Sequence, residues 1–531
     1  MNLASLCDQH PPEAKAFHDT ERWWTWGEVR ARAGAAAMLL SRGGIGVGDR
    51  VALSWSTSPG FAVAYLGILS LGAVVIPVDV SSPPPERERQ LAMIDPALVI
   101  DEATLERAPS VRSGPPEDSS GRLEVDDRAR SGSTIELDAI AEILSGGGNR
   151  RLREGLPPAE DAGWRVGSAA SRSAGDVAVM LFTSGTGGMP KLAMLTHGSL
   201  LANIRQMLGV PGGMIHAGDV GLLSVPMSHV FGLNVALGLS LATGAPLVCQ
   251  RRFDVDEAFD LVDRLEVTLL TGPPAMYRAL AGASDASGRE LVRLRRALSG
   301  SAPLPVDLIE EFEGRFGVRL DQGYGLTEAS PAVATTITDG PDDQATVRAR
   351  LHGSVGRPLP GVQLRVTEEG CGDLSQSVLP GDAGEIWLRG ANVFAGYWRD
   401  EAATSEVLAP GGWLRTGDVG VWDDQGNLYV VDRVKDLVIV SGFNVYPEEV
   451  ERVAVMHPGV LEAVAFGRPD VTAGEVLALA VVVEAGSGVT ERAVVDHCRA
   501  HLARYKCPVA VQFVSELPKG ATGKALRRLF R

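Results

Sequence analysis

The chain has 531 residues, of which 45% are hydrophobic and 22% are charged. This length predicts more than one packed core, and the composition is typical of a soluble globular protein rather than a disordered or fibrous one. Acidic residues outnumber Lys and Arg by 66 to 50, which gives a formal charge of −16. That balance argues against nucleic acid and anionic membranes as partners, because both repel an acidic surface. An anionic ligand would need a local cationic site.

The cysteine pattern and hydropathy restrict the location of the protein. Five cysteines without paired spacing predict neither a disulfide framework nor a zinc site and favour a cytoplasmic location. The most apolar stretch, residues 61–78, approaches membrane length, but glycines and a proline interrupt it and Asp79 follows directly. It is interpreted as a buried helix that leads into a buried strand, and no membrane span is predicted.

Lysine is rare in this chain. The six lysines among the 50 basic residues are Lys15, Lys191, Lys435, Lys506, Lys519 and Lys524. A lysine ammonium group is a compact charge that can approach a phosphate end-on, which the planar guanidinium of arginine does not do. Lysines that fall within motifs are therefore the first candidates for phosphate chemistry.

The patterning changes several times along the chain. Residues 20–104 alternate helical and strand patterns, which predicts an α/β sheet covered on both faces. Residues 105–176 are rich in Ser, Gly, Pro, Arg and acids and are interpreted as a partly mobile surface excursion with one helix-like segment, TIELDAIAEILSG. The α/β pattern resumes over 176–330, short strands over 351–432 predict a β-rich subdomain, and the remainder predicts a small α+β domain.

A strand-like segment runs into the glycine-rich sequence TSGTGGMPK at residues 183–191. Glycines allow successive backbone N–H groups to converge on an anion, and hydroxyls and a lysine add donors, so the segment predicts a triphosphate-binding loop. It lacks the spacing of the GxxxxGK[ST] loop, and a merely flexible turn is the alternative interpretation. The candidate residues are Thr183, Ser184, Gly185, Thr186, Gly187, Gly188 and Lys191.

Further candidates follow in the predicted α/β and β-rich regions. The segments LSGSAPLP and DQGYGLTEAS place small residues where a flat ring could lie, Tyr324 offers a stacking face, and Glu328 offers a carboxylate for Mg²⁺. Asp418, within LRTGDVG, is expected in a turn, where it could accept two ribose hydroxyls. His229 lies among apolar residues and, taken alone, would be interpreted as a packed core residue.

Three candidates lie near the predicted domain boundary and the C-terminus. The sequence VVDRVKD places Arg433 and Lys435 in a connection between two strands, and PKGATGK places Lys524 in a glycine-bracketed loop. A lysine near the end of a chain is normally solvated, so Lys524 carries little meaning by itself.

In this order the motifs resemble those of the adenylate-forming superfamily, which includes acyl- and aryl-CoA synthetases, luciferases and the adenylation domains of peptide synthetases. TSGTGGMPK resembles its phosphate loop, YGLTE and TGD its nucleotide motifs, DRVKD its hinge and PKGATGK its catalytic-lysine loop. The resemblance implies an α/β fold. A large AMP-binding domain, 1–432, would contain two α/β-sandwich subdomains and a β-barrel-like subdomain, followed by a small mobile α+β domain, 433–531.

The resemblance also implies a reaction in two halves. A carboxylate attacks the α-phosphate of ATP to give an acyl-adenylate, and a thiol then displaces AMP after the small domain rotates about a hinge. The implied cofactors are ATP and Mg²⁺, with CoA as co-substrate. Lys524 would bridge the acid and the α-phosphate, Glu328 would ligate Mg²⁺, and Thr327 would touch the α-phosphate.

The resemblance assigns the remaining candidate residues to five further roles. They are Ser301, Ala302, Pro303, Gly323, Tyr324 and Gly325 for adenine; Asp418, with Arg433 nearby, for ribose; Lys435 for the hinge; His229 for the acyl pocket; and Ser441, Gly442 and Phe443 for the thiol tunnel.

Some positions depart from the family pattern or narrow the substrate. Gly187 stands where Ser or Thr is usual, and Leu192 follows the loop lysine where Gly is usual. Amino-acid adenylation domains usually place an Asp after the Phe of the VPMSHVFGLN motif, but here Gly232 follows Phe231. Because an unpaired ammonium in an apolar pocket is costly, a fatty or aryl acid without an α-amino group is expected.

The main hypothesis is an acyl-CoA synthetase with a small-molecule carboxylic acid, ATP and CoA as its partners. The first alternative is an acyl-AMP ligase that loads an acyl carrier protein instead of CoA. A luciferase-type oxygenase and a catalytically silent acyl-nucleotide-binding protein are the others.

Overall fold

The computed structural model describes residues 1–19, 21–82, 84–102, 137–145, 169–183, 190–337, 353–368, 374, 377–433, 438–440, 443–445, 447–470, 474–502, 506–519 and 525–530. The α-helices of this part are α1 (Trp26–Arg42), α2 (Pro59–Ser70), α3 (Pro84–Ile94), α4 (Leu137–Ser145), α5 (His197–Leu208), α6 (Leu239–Thr243), α7 (Val255–Arg264), α8 (Pro274–Ser287), α9 (Val306–Phe316), α10 (Glu401–Val407), α11 (Pro447–Val455) and α12 (Glu491–His501). Three 3₁₀ turns and a π-helix accompany them, at Leu3–Gln9, Thr327–Ala329, Arg527–Leu529 and Phe231–Gly238.

The strands form four sheets. They are β1 (Lys15–His18), β2 (Trp23–Thr25), β3 (Arg50–Ser54), β4 (Val74–Pro77), β5 (Leu98–Asp101), β6 (Val177–Thr183), β7 (Lys191–Thr196), β8 (Gly221–Leu223), β9 (Leu247–Cys249), β10 (Leu269–Gly272), β11 (Arg296–Ser299), β12 (Leu320–Gly325), β13 (Ala332–Thr335), β14 (Arg357–Pro358), β15 (Gln363–Thr367), β16 (Ala383–Arg389), β17 (Leu408–Ala409), β18 (Trp413–Trp422), β19 (Leu428–Arg433), β20 (Val438–Val440), β21 (Phe443–Val445), β22 (Val460–Asp470), β23 (Gly474–Val483) and β24 (Ala510–Phe513).

Two largely parallel sheets form the α/β part of the large domain. One has the strand order β5-β3-β4-β6-β7 and the other β14-β13-β12-β11-β10-β8-β9-β1-β2. Antiparallel strands occur only toward the edges, at β7 in the first sheet and at β2, β13 and β14 in the second. The two predicted α/β subdomains are therefore present, although the sequence patterns did not predict β1 or β2.

Helix α2 shows why the apolar stretch at 61–78 does not need a membrane. All twelve of its residues are buried, as expected of a helix that is apolar on every side and lies inside a protein core. Pro59 occupies its first turn, where a missing N–H costs nothing. Strand β4 follows and is also buried, which confirms the helix-then-strand prediction. Across the described residues, no helix is both long and apolar enough to cross a bilayer.

Helix α4 lies within the segment that the sequence suggested as a surface excursion, and it is not a surface element. Its residues Ile140, Ile143 and Leu144 are buried in the same core as α2, and Arg32 donates to the Ile143 carbonyl at 2.8 Å. The apolar side chains of this helix pack in the core, although the polar residues on either side of it in the sequence favoured a surface position. Residues 105–136 and 146–168 of the excursion lie outside the described residues.

An antiparallel sheet and a small α+β unit complete the fold. The antiparallel sheet has the order β15-β16-β18-β17, with β19 paired to β18, and it matches the predicted β-rich region. The C-terminal sheet has the order β21-β20-β23-β22 with β24 paired to β23, and it packs with α11 and α12 around a separate apolar core. The α+β character predicted for this region from the sequence is confirmed.

Candidate active site

The glycine-rich segment connects two paired strands. Thr183, at the end of β6, is the register partner of Lys191, at the start of β7. The ends of the predicted phosphate loop are therefore fixed side by side in the sheet. The candidates Ser184, Gly185, Thr186, Gly187 and Gly188 lie outside the described residues.

Thr327 and Glu328 lie on the short 3₁₀ helix between β12 and β13. Three buried asparagines donate to backbone carbonyls of this turn and of the residues that follow it. The bonds run from Asn392 to Ala329 at 2.9 Å, from Asn234 to Ser330 at 2.7 Å and from Asn203 to Ala332 at 2.7 Å. Because buried carbonyls need partners, these amides define the path of the backbone that presents Glu328.

Glu328 is linked to the loop lysine through a tyrosine. The Tyr397 hydroxyl donates to Oε1 of Glu328 at 2.7 Å, and Nζ of Lys191 lies 5.0 Å from the centroid of the Tyr397 ring, within the range of a cation–π contact. Burial and the neighbouring Glu328 carboxylate raise the pKa of Tyr397, so its hydroxyl stays protonated and acts as a donor. A cation and a carboxylate thus flank one buried ring.

The predicted adenine segments follow neighbouring parallel strands. Strand β11 ends at Ser299, and the loop after it carries Ser301, Ala302 and Pro303, with Ser301 in the left-handed region at φ 69°. Strand β12 carries Gly323, Tyr324 and Gly325. The carboxyl ends of adjacent parallel strands are the usual ligand-binding edge of an α/β sheet, so the structure brings these two segments to one edge.

Asp418 lies in a strand and not in the turn that the sequence suggested. It belongs to β18, is 3% exposed and is the register partner of Arg433 on β19. The turn-like TGD sequence instead produces an irregularity within the strand, because Gly417 takes a left-handed φ of 71°. The Tyr324 hydroxyl donates to Oδ2 of Asp418 at 2.7 Å, which joins the antiparallel sheet to the edge of β12.

His229 lies just before the buried π-helix that begins at Phe231. The backbone N–H of Phe231 donates to Nδ1 of His229 at 3.3 Å, and burial lowers the pKa of His229 to about 4, partly opposed by Asp79. The imidazole is therefore neutral at neutral pH. The Phe231 ring packs so closely on Gly300 that a Cβ there would lie 3.0 Å from Cζ of the phenylalanine. This contact links the predicted acyl pocket to the predicted adenine loop.

The remaining candidates lie outside the described residues or are described by their backbone alone. Lys435, Ser441, Gly442 and Lys524 lie outside the described residues, and Arg433 and Phe443 are described by their backbone in β19 and β21.

Sequence reasoning missed Tyr397, the three asparagines and Gln322. Gln322 Oε1 and Ser299 Oγ are buried without a hydrogen-bond partner in the described part of the chain, and the two residues are register partners on β12 and β11. Because Ser299 and Gln322 lie just before the predicted adenine segments, their position in the sequence could have indicated that they belong to the site. Tyr397 offered none, because Glu328 is 69 residues away in the sequence.

Comparison with known proteins agrees with this architecture. The model of the AMP-binding enzyme family matches residues 4–398, and the model of the AMP-binding enzyme C-terminal domain matches residues 449–524. A long-chain-fatty-acid–CoA ligase of Salmonella typhimurium is 32% identical and covers 97% of this chain and 91% of its own. A Mycobacterium tuberculosis ligase that joins a methyl-dioxo-octahydroindenyl propanoyl group to CoA is 33% identical, with coverages of 98% and 96%.

Solved structures show the same fold over the whole chain. ATP-bound MatB from Rhodopseudomonas palustris is 29% identical, with a TM-score of 0.81 and coverages of 100% and 98%. The o-succinylbenzoate CoA synthetase of Bacillus subtilis, with its acyl-adenylate intermediate, is 26% identical, with a TM-score of 0.78 and coverages of 100% and 98%. The fold and site define an ATP-dependent ligase of the acyl-CoA synthetase class. The chain belongs to the AMP-binding enzyme family, within the adenylate-forming superfamily.

Proposed function

We propose that this enzyme activates a fatty or aryl carboxylic acid without an α-amino group, using ATP to form an acyl-adenylate, and transfers the acyl group to CoA with release of AMP. The observation that carries the proposal is a pair of tyrosine–carboxylate hydrogen bonds, one on the strand before the 3₁₀ turn and one on the turn itself. Tyr324, on β12, bonds Asp418, and Tyr397 bonds Glu328 on the turn and contacts Lys191. One site thus offers acceptors for a nucleoside and a cation for phosphates.

The adenosine part of ATP would bind at the ends of β11 and β12. Tyr324 provides a ring face, and the loop at Ser301, Ala302 and Pro303 provides small residues beside it. The buried side-chain oxygen Oε1 of Gln322, which has no partner among the described residues, is a fitting acceptor for the exocyclic amine of adenine. Asp418 would accept the ribose hydroxyls, with Arg433 nearby on β19.

The triphosphate would bind between the 183–191 loop and the 3₁₀ turn. Among the described residues, no group of three or more His, Cys, Asp or Glu could bind a metal ion. Glu328 alone, together with phosphate oxygens, nevertheless fits Mg²⁺, which usually takes one or two carboxylates plus substrate phosphates. Bound there, the ion would neutralise phosphate charge. Lys191 would neutralise a second part of that charge, and Thr327 would contact the α-phosphate.

The small domain, residues 433–531, would complete the chemistry. In this proposal Lys524 approaches the carboxylate and the α-phosphate, and its withdrawal by rotation near Lys435 lets the thiol reach the same carbonyl along Ser441, Gly442 and Phe443. The proposed boundary between the domains is supported by the end of β19 at Arg433, which lies between the residues matched by the two family models. A cytoplasmic location remains part of the proposal and rests on the cysteine pattern.

The surroundings of the π-helix support an acid without an ammonium group. A Cβ at Gly232 would clash with the Pro226 carbonyl oxygen, so the position where amino-acid adenylation domains usually carry Asp has no room for a side chain. His229 is neutral at neutral pH and fits a pocket for an uncharged acyl body. The Salmonella relative is named for a long-chain fatty acid and the Mycobacterium relative for a dioxo-octahydroindenyl propanoyl group. Neither name includes an amino group, which supports an acid without an ammonium group.

The test is a panel of fatty, aryl and amino acids assayed for AMP release with ATP and Mg²⁺, with and without CoA. We expect AMP and acyl-CoA from apolar acids and no turnover of amino acids. Turnover with a purified acyl carrier protein but not with CoA would establish the alternative acceptor. If no acid supports ATP–pyrophosphate exchange, the proposed function is wrong.

A further inference from the structure

A short segment, residues 394–398, joins the two phosphate-side motifs through its backbone. The N–H of Phe394 donates to the Glu328 carbonyl at 2.9 Å. The N–H of Trp398 donates to the Leu192 carbonyl at 2.8 Å, and the segment also exchanges backbone bonds with Met194 on β7. The strand that carries Lys191 and the turn that carries Glu328 are therefore both hydrogen-bonded to residues 394–398, which we call the bridging segment.

Tyr397 is the residue of the bridging segment whose side chain contacts both motifs. Its hydroxyl donates to Glu328 and its ring faces Lys191, while the ring itself is 8% exposed. The ring of Phe394 packs edge-on against the Tyr397 ring, with 5.0 Å between the ring centroids. The backbone N–H of Tyr397 donates to Oγ1 of Thr404 at 2.9 Å. A ring restrained from several directions can fix the position of the groups that it contacts.

The bond to Glu328 uses one oxygen of the carboxylate. Oε1 accepts from Tyr397, and Oε2 has no hydrogen-bond donor among the residues that the structure describes. A carboxylate with one oxygen tied to a phenol is limited in its rotation, and its second oxygen stays available for a cation. Glutamate otherwise carries three rotatable bonds, whose freedom would have to be lost each time that a metal binds.

We propose that Tyr397 is a positioning residue for the metal–triphosphate end of the site, where its hydroxyl orients Glu328 and its ring orients Lys191. The inference rests on the proposed function, because it assumes that Glu328 meets Mg²⁺ and that Lys191 meets phosphate. Tyr397 touches neither the substrate nor the reacting atoms in this proposal. Its effect should therefore reach only ligands that carry a metal or a β-phosphate.

Tyr397→Phe tests the hydroxyl because it keeps the ring and its contacts with Phe394 and Lys191. Binding is measured by calorimetry with three ligands: ATP with Mg²⁺, ATP with EDTA, and AMP. We expect affinity for ATP with Mg²⁺ to fall about tenfold, since a hydrogen bond to a charged group is lost, and affinity for AMP and metal-free ATP to stay within twofold. Tyr65→Phe, which removes a buried hydroxyl on α2, is the matched control and should leave all three affinities unchanged.

A double-mutant cycle shows whether Tyr397 acts through Glu328. In a Glu328→Gln background, Tyr397→Phe should change affinity for ATP with Mg²⁺ by less than twofold, because the oriented ligand is already gone. Equal, additive losses in the two backgrounds would overturn the inference, as would wild-type affinity in the single variant. Loss of AMP binding or of cooperative melting in Tyr397→Phe would also overturn it, because the hydroxyl would then support the fold.

The same data separate this inference from the function on which it rests. Wild-type enzyme that binds no ATP and catalyses no exchange would defeat the proposed function. Wild-type enzyme that does both, alongside a Tyr397→Phe variant with unchanged metal dependence, would defeat the positioning role alone.

Discussion

Each of two regions of the site contains a tyrosine hydroxyl bonded to a carboxylate, but the backbone that carries the carboxylate differs between them. Tyr324 bonds Asp418 and Tyr397 bonds Glu328, each at 2.7 Å. Asp418 is 3% exposed within β18, and backbone ladders to β16 and β19 fix that strand on both sides. Glu328 is half-buried on a single 3₁₀ turn, whose path depends on side-chain amides from elsewhere in the chain.

The difference indicates how each region should respond to change. A carboxylate within a sheet keeps its position through many backbone bonds, so that losing its tyrosine should weaken one contact and leave the geometry intact. A carboxylate on an irregular turn depends on a few side-chain bonds, each of which matters more. The proposed adenosine region should therefore be the more robust, and the proposed phosphate region the more sensitive.

The largest expected effect concerns the group that would act between the two regions. Lys524→Ala should lower adenylate formation by about 100-fold or more, because a positioned charge at the reacting phosphate is lost. Thioester formation from a supplied acyl-adenylate and the affinity for AMP should both persist. The two half-reactions are measured separately, and an equal loss in both would refute the role of Lys524.

Asn392→Ala tests how strongly the 3₁₀ turn depends on a single side-chain amide. The change leaves the Ala329 carbonyl and the Gln206 amide without their buried partner, which should lower the free energy of unfolding by about 2–3 kcal/mol. It should also weaken binding of ATP with Mg²⁺ more than binding of AMP. Gln425→Ala, in an exposed turn, is the control for chemical denaturation. A stability loss below about 0.5 kcal/mol for Asn392→Ala would contradict the role of Asn392 in fixing the turn.

His197 makes one contribution to the pH dependence of stability. Burial lowers the pKa of His197 from 6.5 to about 4, and its Nδ1 accepts from the Leu3 backbone N–H. The unfolded chain therefore binds more protons between these values, and stability falls as pH drops from about 6.5 toward 4. Between pH 7 and pH 5 this one group should cost about 2 kcal/mol.

The variant His197→Asn, which keeps an acceptor near the Leu3 N–H, should show a correspondingly smaller loss of stability between these two pH values. The measurement is denaturant unfolding at each pH, with the exposed His216→Asn as control. Parallel pH curves for wild type and His197→Asn would rule out this contribution.

Tyr324→Phe should have the smallest effect. It removes the hydroxyl that bonds Asp418 and should weaken AMP and ATP alike by about threefold, with or without Mg²⁺, because both ligands share the adenosine contacts. Calorimetry with the three nucleotide conditions checks this. A loss of affinity confined to ATP with Mg²⁺ would contradict the assignment of Tyr324 to the proposed adenosine region.

Much of the fold could be predicted because the spacing of apolar residues along the sequence indicates which positions are buried. The all-apolar α2 with β4 after it, the short strands of the antiparallel sheet and the C-terminal elements all follow from patterns within a few neighbouring residues. Helix α4 was placed on the surface because its flanks are polar, although its own side chains are buried. Asp418 was expected in a turn because Gly417 resembles turn chemistry, yet its left-handed φ lies within a strand.

The candidate site was only partly accessible to sequence reasoning. Glu328, Tyr324 and Asp418 lie in recognisable motifs, and the structure brings the last two into contact. Tyr397 and Asn392 could not be found in this way, because their partners are 69 and 63 residues distant and neither stands in a distinctive local pattern. Residues that support a site through space leave little trace in a single sequence.

The most direct test of the divided site compares Tyr324→Phe and Tyr397→Phe in one calorimetric series with AMP and with ATP plus Mg²⁺. The ratio of the two affinities should stay at its wild-type value in Tyr324→Phe and change about tenfold in Tyr397→Phe, in favour of AMP. If both variants shift that ratio equally, or if only Tyr324→Phe shifts it, the two tyrosines do not serve separate parts of the nucleotide and the account is wrong.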